Sequence, residues 1–200
     1  GGKTLAGFLP SIIELNAKPS NSLHKLYVSP LKALTVDVAR NLLNPLSDMK
    51  LSITVETRTG DTPQSRRQRQ RKSPPNILLT TPESLALLIS YPDSHTIFQK
   101  LQCIIIDELH ALASTKRGDL LSLALTRLNR WSPAARRVGL SATIPDPNEM
   151  AGYLSKHKYP DDIKIIKAQS TKPPAIQILI GKSRLPWSGH MGLYAAPDIY

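Results

Sequence analysis

Short apolar runs alternate along this chain with amphipathic stretches, and that alternation is the signature of parallel strands joined by crossover helices. The runs are Lys25 to Ser29, Ile53 to Thr57, Asn76 to Thr80, Cys103 to Asp107, Val138 to Ser141 and Ile163 to Lys167. Between them, Leu5, Phe8, Leu9, Ile12 and Ile13 recur at helical spacing, as do Leu34, Val38 and Leu42. Leu85, Leu88 and Ile89 repeat the pattern, and so do Leu120, Leu121, Ala124, Leu125 and Leu128. Pro10 should kink or loosen the first helix, whereas Pro82 suits a first helical turn, where its missing N–H would lack a partner anyway. The expected fold is therefore α/β with a mostly parallel central sheet. At 200 residues the chain has room for one sizeable core and an extension. Beyond about Ser170, Lys172-Pro173-Pro174 breaks the pattern, Ala175 to Ile180 reads as one more strand, and the remainder is rich in Pro, Gly and aromatics. A domain over 1–170 and a connector over 171–200 are expected.

The run Cys103 to Ile106 ends abruptly in Asp107-Glu108-Leu109-His110. A buried strand has no reason to end in two adjacent carboxylates unless they face a ligand. In nucleotide-dependent motors the first acid at such a strand end can hold Mg²⁺ and the second can orient the attacking water. Taken alone, the pair equally suits a helix cap. The start of the chain, Gly1-Gly2-Lys3-Thr4, tips the balance, because a helical segment follows it as it follows the tail of a phosphate loop. In that loop backbone N–H groups cradle phosphates, the Lys reaches the β/γ-phosphates and the hydroxyl sits on Mg²⁺. The strand and first glycine that complete the pattern are not in this sequence. Together the motifs supply two sides of one Mg-ATP site: Gly2, Lys3 and Thr4 opposite Asp107 and Glu108.

Lys and Arg number 26 against 15 Asp and Glu, and the formal charge of +11 favours a polyanionic partner. Charge alone does not separate nucleic acid from an anionic membrane surface, but no apolar stretch approaches the roughly 20 residues of a membrane span. No secretory leader opens the chain. The single Cys103, inside an apolar run, excludes a disulfide framework and reads as a buried thiol, so a cytoplasmic setting is expected. His24, His95 and His157 have no partners at metal-ligand spacing.

In an open parallel sheet ligands bind at the carboxyl ends of the strands, and here those ends carry Ser29-Pro30-Leu31-Lys32, Arg58-Thr59-Gly60-Asp61, Thr80-Thr81-Pro82-Glu83 and Ser141-Ala142-Thr143. Singly, each is a turn or helix cap. Hydroxyls, a glycine and the free N–H groups of helix starts also hold phosphate oxygens. Lining one rim of a basic domain, they suggest nucleic acid tracked by its backbone, with little regard to sequence. The densest charge run, Arg66, Arg67, Arg69, Arg71 and Lys72, is either a solvated helix face or a phosphate contact. Lys116 and Arg117 divide the same way between a helix cap and DNA, and Trp131, closing an amphipathic helix, reads as packing.

These motifs in this order resemble the first RecA-like domain of a superfamily 2 helicase. Lys3-Thr4 matches the end of motif I, Ser29 to Leu34 motif Ia, Arg58 to Asp61 motif Ic, Thr80 to Glu83 motif Ib, Asp107 to His110 motif II and Ser141 to Thr143 motif III. Within the superfamily the chain is most similar to the large-helicase-related family, in particular its bacterial ligase-associated DExH-box branch. Val55 to Pro63, Leu78 to Leu85, Asp107 through Asp119 and Val138 to Pro147 carry that likeness, and Leu185 to His190 resembles the connector into a second RecA-like domain. The resemblance implies a three-layer P-loop NTPase fold and an ATP- and Mg²⁺-dependent motor that moves 3′ to 5′ on single-stranded DNA and unwinds DNA or RNA-DNA duplexes. It also implies a DNA-repair role beside ligase-associated proteins. Lys3 would bind phosphate, Thr4 and Asp107 the Mg²⁺, and Glu108 would polarise the hydrolytic water. His110, Ser141 and Thr143 would couple nucleotide state to the DNA side, where Pro30, Lys32, Arg58, Thr59, Gly60, Arg66, Thr81 and Pro82 are the expected contacts. An arginine finger from the second domain is worth about 10³ to 10⁵ in rate in related systems, so this piece alone is expected to hydrolyse ATP negligibly. A translocase or remodeller that uses the same engine without separating strands is one alternative, and a non-catalytic nucleic-acid-binding module is another. A small-molecule kinase would leave the rim and the charge unexplained.

Overall fold

Five parallel strands of four residues each form one sheet in the order β2-β3-β1-β4-β5, with β1 at Lys25–Val28, β2 at Val55–Arg58, β3 at Ile77–Thr80, β4 at Cys103–Ile106 and β5 at Arg136–Gly139. The structure is a computed structural model describing residues 3–142, 146–156 and 163–167. The chain divides into two compact units, 1–165 and 166–200, and only Ile166 and Lys167 of the second are among the described residues. Gly2, Thr143, His157, the expected Ala175 to Ile180 strand and the connector over 171–200 all lie outside them.

The sheet register explains why the motifs share one edge. Val28 pairs with both Thr80 and Ile106, Thr80 with Arg58, and Ile106 with Gly139, so all five strands end in line. The ladder runs one residue further through Ser29 N–H to Thr80 O (3.0 Å), Asp107 N–H to Val28 O (2.9 Å) and Leu140 N–H to Ile106 O (2.8 Å). Whatever follows each strand therefore emerges on the same rim.

Alternation along the strands sends side chains to two cores, as a doubly covered parallel sheet requires. Tyr27, Ile77, Leu79, Cys103 and Ile105 face α1 (Lys3–Ala17) and α2 (Lys32–Asp48). Leu26, Val28, Leu78, Ile104 and Ile106 belong with α4 (Pro82–Ile89), α5 (Ser94–Phe98), α6 (Leu109–Leu112), α7 (Lys116–Trp131) and α8 (Pro147–Leu154). The result is a three-layer α/β sandwich, as expected, with Cys103 buried in it. Trp131 packs at 6.0 Å centroid separation on Phe98. No helix of the described residues is long and apolar enough to cross a membrane.

α1 continues unbroken through Pro10, which lies, like Ala6 one turn before it, on the exposed side of the helix. At Gly7 the helix comes so close to the sheet that a Cβ would lie 3.2 Å from Ile105 Cδ1. The buried Lys25 donates to Gly7 O at 2.6 Å, and burial lowers the pKa of its ammonium. Glu14 anchors the far end through His24 (2.9 Å) and Arg136 (2.7 Å). Burial pushes the Glu14 carboxyl upward, but those two partners outweigh it and hold the pKa below the usual value.

Two expected strands need correction. Val138 to Ser141 begins and ends two residues earlier, because its ladder starts where β4 starts, at the Cys103–Arg136 pair. Ile163 to Lys167 forms no strand, and Ile165 and Ile166 are exposed. An apolar run becomes a strand only when a neighbour pairs with it, and among the described residues none does.

Candidate functional site

Asp107 stands immediately past β4, held at three points. Its N–H is in the ladder, its Oδ1 accepts from Glu108 N–H at 2.9 Å, and its Oδ2 accepts from the Tyr27 hydroxyl. Burial, then the hydrogen bond to Asp107, push the Tyr27 phenol well above its ordinary pKa. Glu108 has φ 47° and ψ 46°, the left-handed region, which costs an ordinary residue about 1–2 kcal/mol. Bonds from Leu109 N–H to Leu140 O (3.0 Å) and from Ala111 N–H to Glu108 O (2.8 Å) hold this turn, which swings the chain from strand into α6.

The neighbouring strand end completes the cluster. The Lys3 ammonium, in the first turn of α1, donates to Ser141 O at 2.9 Å. The Ser141 hydroxyl lies 2.9 Å from His110 Nδ1, which in turn is 3.5 Å from Glu108 Oε2. Residues 138 positions apart thus meet around one serine. Lys3, Glu108, His110 and Ser141 form a connected set with Asp107 beside it, and Thr4 follows Lys3 in the same helical turn, partly buried. This arrangement can place one ammonium and two carboxylates at the mouth of a parallel sheet, where a phosphate chain would need them.

The other half of the rim is built differently. Lys32, the first residue of α2, pairs with Asp61 at 2.9 Å and lies so near Gly60 that a Cβ there would sit 3.3 Å from its Nζ. The loop after β2 is closed by Thr59 N–H to Thr62 Oγ1 (2.9 Å) and clamped by Arg67, which donates to Thr59 O (3.1 Å) and Gly60 O (2.5 Å). Arg58 is 3% exposed, and its guanidinium donates to Arg67 O (3.0 Å) and Gln70 Oε1 (3.3 Å) rather than facing solvent. Burial lowers its pKa. Thr81 is also buried and caps α4 by accepting from Ser84 N–H at 3.4 Å, with Pro82 buried at the first helical position. Pro30 and Thr59 are buried as well. Of the rim residues expected from sequence, Lys32, Gly60 and Arg66 reach solvent.

Most of the basic run on α3 (Gln64–Lys72) is committed within the molecule. Arg67 clamps the loop, Arg69 pairs with Glu56 (2.7 Å), and Arg71 pairs with Asp93 (2.7 Å) while lying 3.9 Å from the Tyr91 ring centroid. Arg66 and Lys72 are exposed and have no such partner among the described residues. Arg117 forms a two-pronged pair with Glu83 (2.5 and 3.1 Å), whose hydrogen bond holds the Glu83 carboxyl below its usual pKa. That pair ties the start of α7, just after the acidic motif, to the start of α4 on the rim.

Tyr27 escaped sequence reasoning, and its only signal was a polar tip between the apolar Leu26 and Val28. The structural role of Arg67 was equally hidden, since five neighbouring cations look alike until the fold distinguishes them. Gly118 is a third omission: a Cβ there would stand 2.1 Å from Leu112 O, so only glycine lets α7 begin against α6.

The chain matches the DEAD/DEAH box helicase family over residues 1–151. It is 45% identical over 168 residues to the Lhr helicase of Mycolicibacterium smegmatis, covering 77% of this chain and 11% of that protein. It is 40% identical over 172 residues to the ATP-dependent helicase Lhr-Core of Methanothermobacter thermautotrophicus, covering 79% of this chain and 20% of that one. Among solved structures, the Mycobacterium smegmatis helicase Lhr bound to ssDNA and AMP-PNP superposes with a TM-score of 0.70 at 44% identity, over 78% of this chain and 21% of that chain. The chain therefore spans about a fifth or less of the length of these relatives. With its strand-end motifs on one rim and its sequence alike over most of its length, the chain belongs to the DEAD/DEAH box helicase family and is homologous to the Lhr helicases.

Proposed function

We propose that this chain is the ATP-binding first RecA-like domain of an ATP-dependent helicase acting on single-stranded DNA and unwinding DNA or RNA-DNA duplexes. The observation that carries the reading is the convergence of Lys3 and His110 on Ser141, with Glu108 against His110 and Asp107 fixed beside them. The donor set suits Mg²⁺, which is typically held by one or two carboxylates together with substrate phosphates and water. Asp107 and the Thr4 hydroxyl would hold it, and when bound it would neutralise charge on the β- and γ-phosphates. Lys3 supplies an ammonium to the same phosphates. Glu108 polarises the attacking water, and His110, between Glu108 and Ser141, links that event to the segment after β5; Thr143 is assigned a part in the same coupling by the family resemblance alone. Gly2 contributes backbone to the phosphate cradle.

On the rim, Lys32, Gly60 and Arg66 touch the sugar-phosphate backbone, while Pro30, Arg58, Thr59, Thr81 and Pro82 set the shape of the loops that present it. Contacts of this kind position a strand without reading its bases. The same resemblance supports 3′ to 5′ movement, a second RecA-like domain reached through a connector over 171–200, and a repair role in the cytoplasm beside ligase-associated proteins.

The test is ATP hydrolysis by the full-length protein with and without single-stranded DNA, beside Glu108→Gln. Hydrolysis stimulated by DNA and lost in the variant is the expected result. Hydrolysis that ignores DNA, or survives the substitution, overturns the assignment of the polymer or of the catalytic acid respectively.

A further inference from the structure

We propose that Tyr27 is a positioning residue for the divalent cation, its hydroxyl locking the Asp107 carboxylate in the orientation that an Mg-nucleotide complex requires. The inference rests on the function proposed above and extends it to a residue outside every strand-end motif. Tyr27 is fully buried in β1, between the sheet and α1, and its ring packs on Phe8 at 5.4 Å between centroids. Its hydroxyl donates to Asp107 Oδ2 across 80 positions of sequence, while Glu108 N–H takes Oδ1. Each carboxylate oxygen is thus engaged by one donor and keeps a lone pair for a cation. Two donors from two directions stop rotation about the Asp107 side-chain bonds, which nothing else among the described hydrogen bonds restrains.

The same ring connects this carboxylate to the helix that begins with Lys3 and Thr4. Phe8, one helical turn beyond Thr4, lies against Tyr27. Both sides of the proposed cation site are therefore referred to one buried phenol. Outer groups of this kind commonly change metal affinity about 10- to 100-fold when removed.

The experiment uses the full-length protein and a fluorescent, non-hydrolysable ATP analogue, titrated with the protein across Mg²⁺ concentrations and in EDTA. Tyr27→Phe keeps the ring and removes one oxygen. It is expected to raise the half-saturating Mg²⁺ concentration about tenfold or more, with analogue affinity in EDTA unchanged. Phe8→Leu loosens the ring packing without removing the hydroxyl and should raise the Mg²⁺ midpoint by less than Tyr27→Phe does. In an Asp107→Asn background, Tyr27→Phe should add nothing to the Mg²⁺ dependence. All variants are read well below their melting midpoints in EDTA. An unchanged Mg²⁺ midpoint in Tyr27→Phe, or an equal loss of affinity with and without Mg²⁺, overturns the positioning role alone. A wild-type protein whose analogue binding ignores Mg²⁺ overturns the proposed nucleotide site, and this inference with it.

Discussion

The two halves of the rim use the same raw material, polar residues just past parallel strands, in opposite ways. At β4 and β5, Lys3, Glu108 and His110 keep their charged or polar ends partly exposed, with Lys3 and His110 meeting at Ser141 and Glu108 facing His110 directly. At β1, β2 and β3, Arg58, Thr59, Thr81 and Pro82 are buried and spend their side chains on caps and clamps. The difference suits what the proposed function would ask of each half. A phosphoryl-transfer site needs individual functional groups aimed at one point, whereas a track for a nucleic-acid backbone needs fixed loops presenting N–H groups and a few cations. Under the function proposed above, buried motif residues on the track side are architecture, and the exposed ones are the proposed contacts.

The largest expected departure tests the first half. Lys3→Ala should lower ATP hydrolysis by the full-length protein about 10²- to 10³-fold while leaving its melting temperature in place, since the ammonium is exposed and bonds a single carbonyl. A rate within twofold of wild type would remove Lys3 from the site. Next comes the joint between the halves. Gly118→Ala forces a methyl into the Leu112 carbonyl and should cost about 3 kcal/mol, read as a shift in the denaturation midpoint, and an unshifted midpoint would show that α6 and α7 move apart freely.

The track side is sharpened by two substitutions that should behave oppositely. Thr81→Ala removes the α4 cap and should cost about 1 kcal/mol of stability without changing the salt dependence of DNA binding. Arg66→Gln should leave stability within about 0.5 kcal/mol and reduce the slope of log affinity against log salt by about one. Reversed outcomes would exchange the two residues' roles. The smallest effect belongs to the exposed Glu83–Arg117 pair, where Glu83→Gln should cost less than about 1 kcal/mol. Because the folded-state pKa of Glu83 is depressed, this contribution is present above the ordinary glutamate range and disappears as pH falls through the lowered value. A wild-type-to-variant difference that persists in acid would assign it to packing instead.

Much of this was legible from residues alone, for identifiable reasons. β1, β3 and β4 lie within one residue of their expected positions because a parallel strand buried on both faces is a mostly apolar run, and the Asp107-Glu108 pair stood out against that background, whereas the edge strand β2, reading Val55-Glu56-Thr57-Arg58, begins two residues later than expected. The same rule misled at Ile163 to Lys167, where the run exists without a partner strand. Arg58 and Arg66 looked alike in sequence, and only packing showed one turned into the protein and the other left in solvent. Glu108 in the left-handed region was invisible too, since no local preference calls for it there and the contacts that hold it come from Leu140 and Asp107.

What the sequence determined by itself is what depends on neighbours along the chain: the strand and helix pattern, the phosphate-loop tail, the acidic strand end and the excess of positive charge. Tertiary structure alone decided which cations are free, which threonines are caps, and that a tyrosine in β1 meets a carboxylate at the end of β4. Those outcomes depend on sheet order and register, which bring residues 80 or 138 positions apart to within a hydrogen bond, and no local periodicity carries that information.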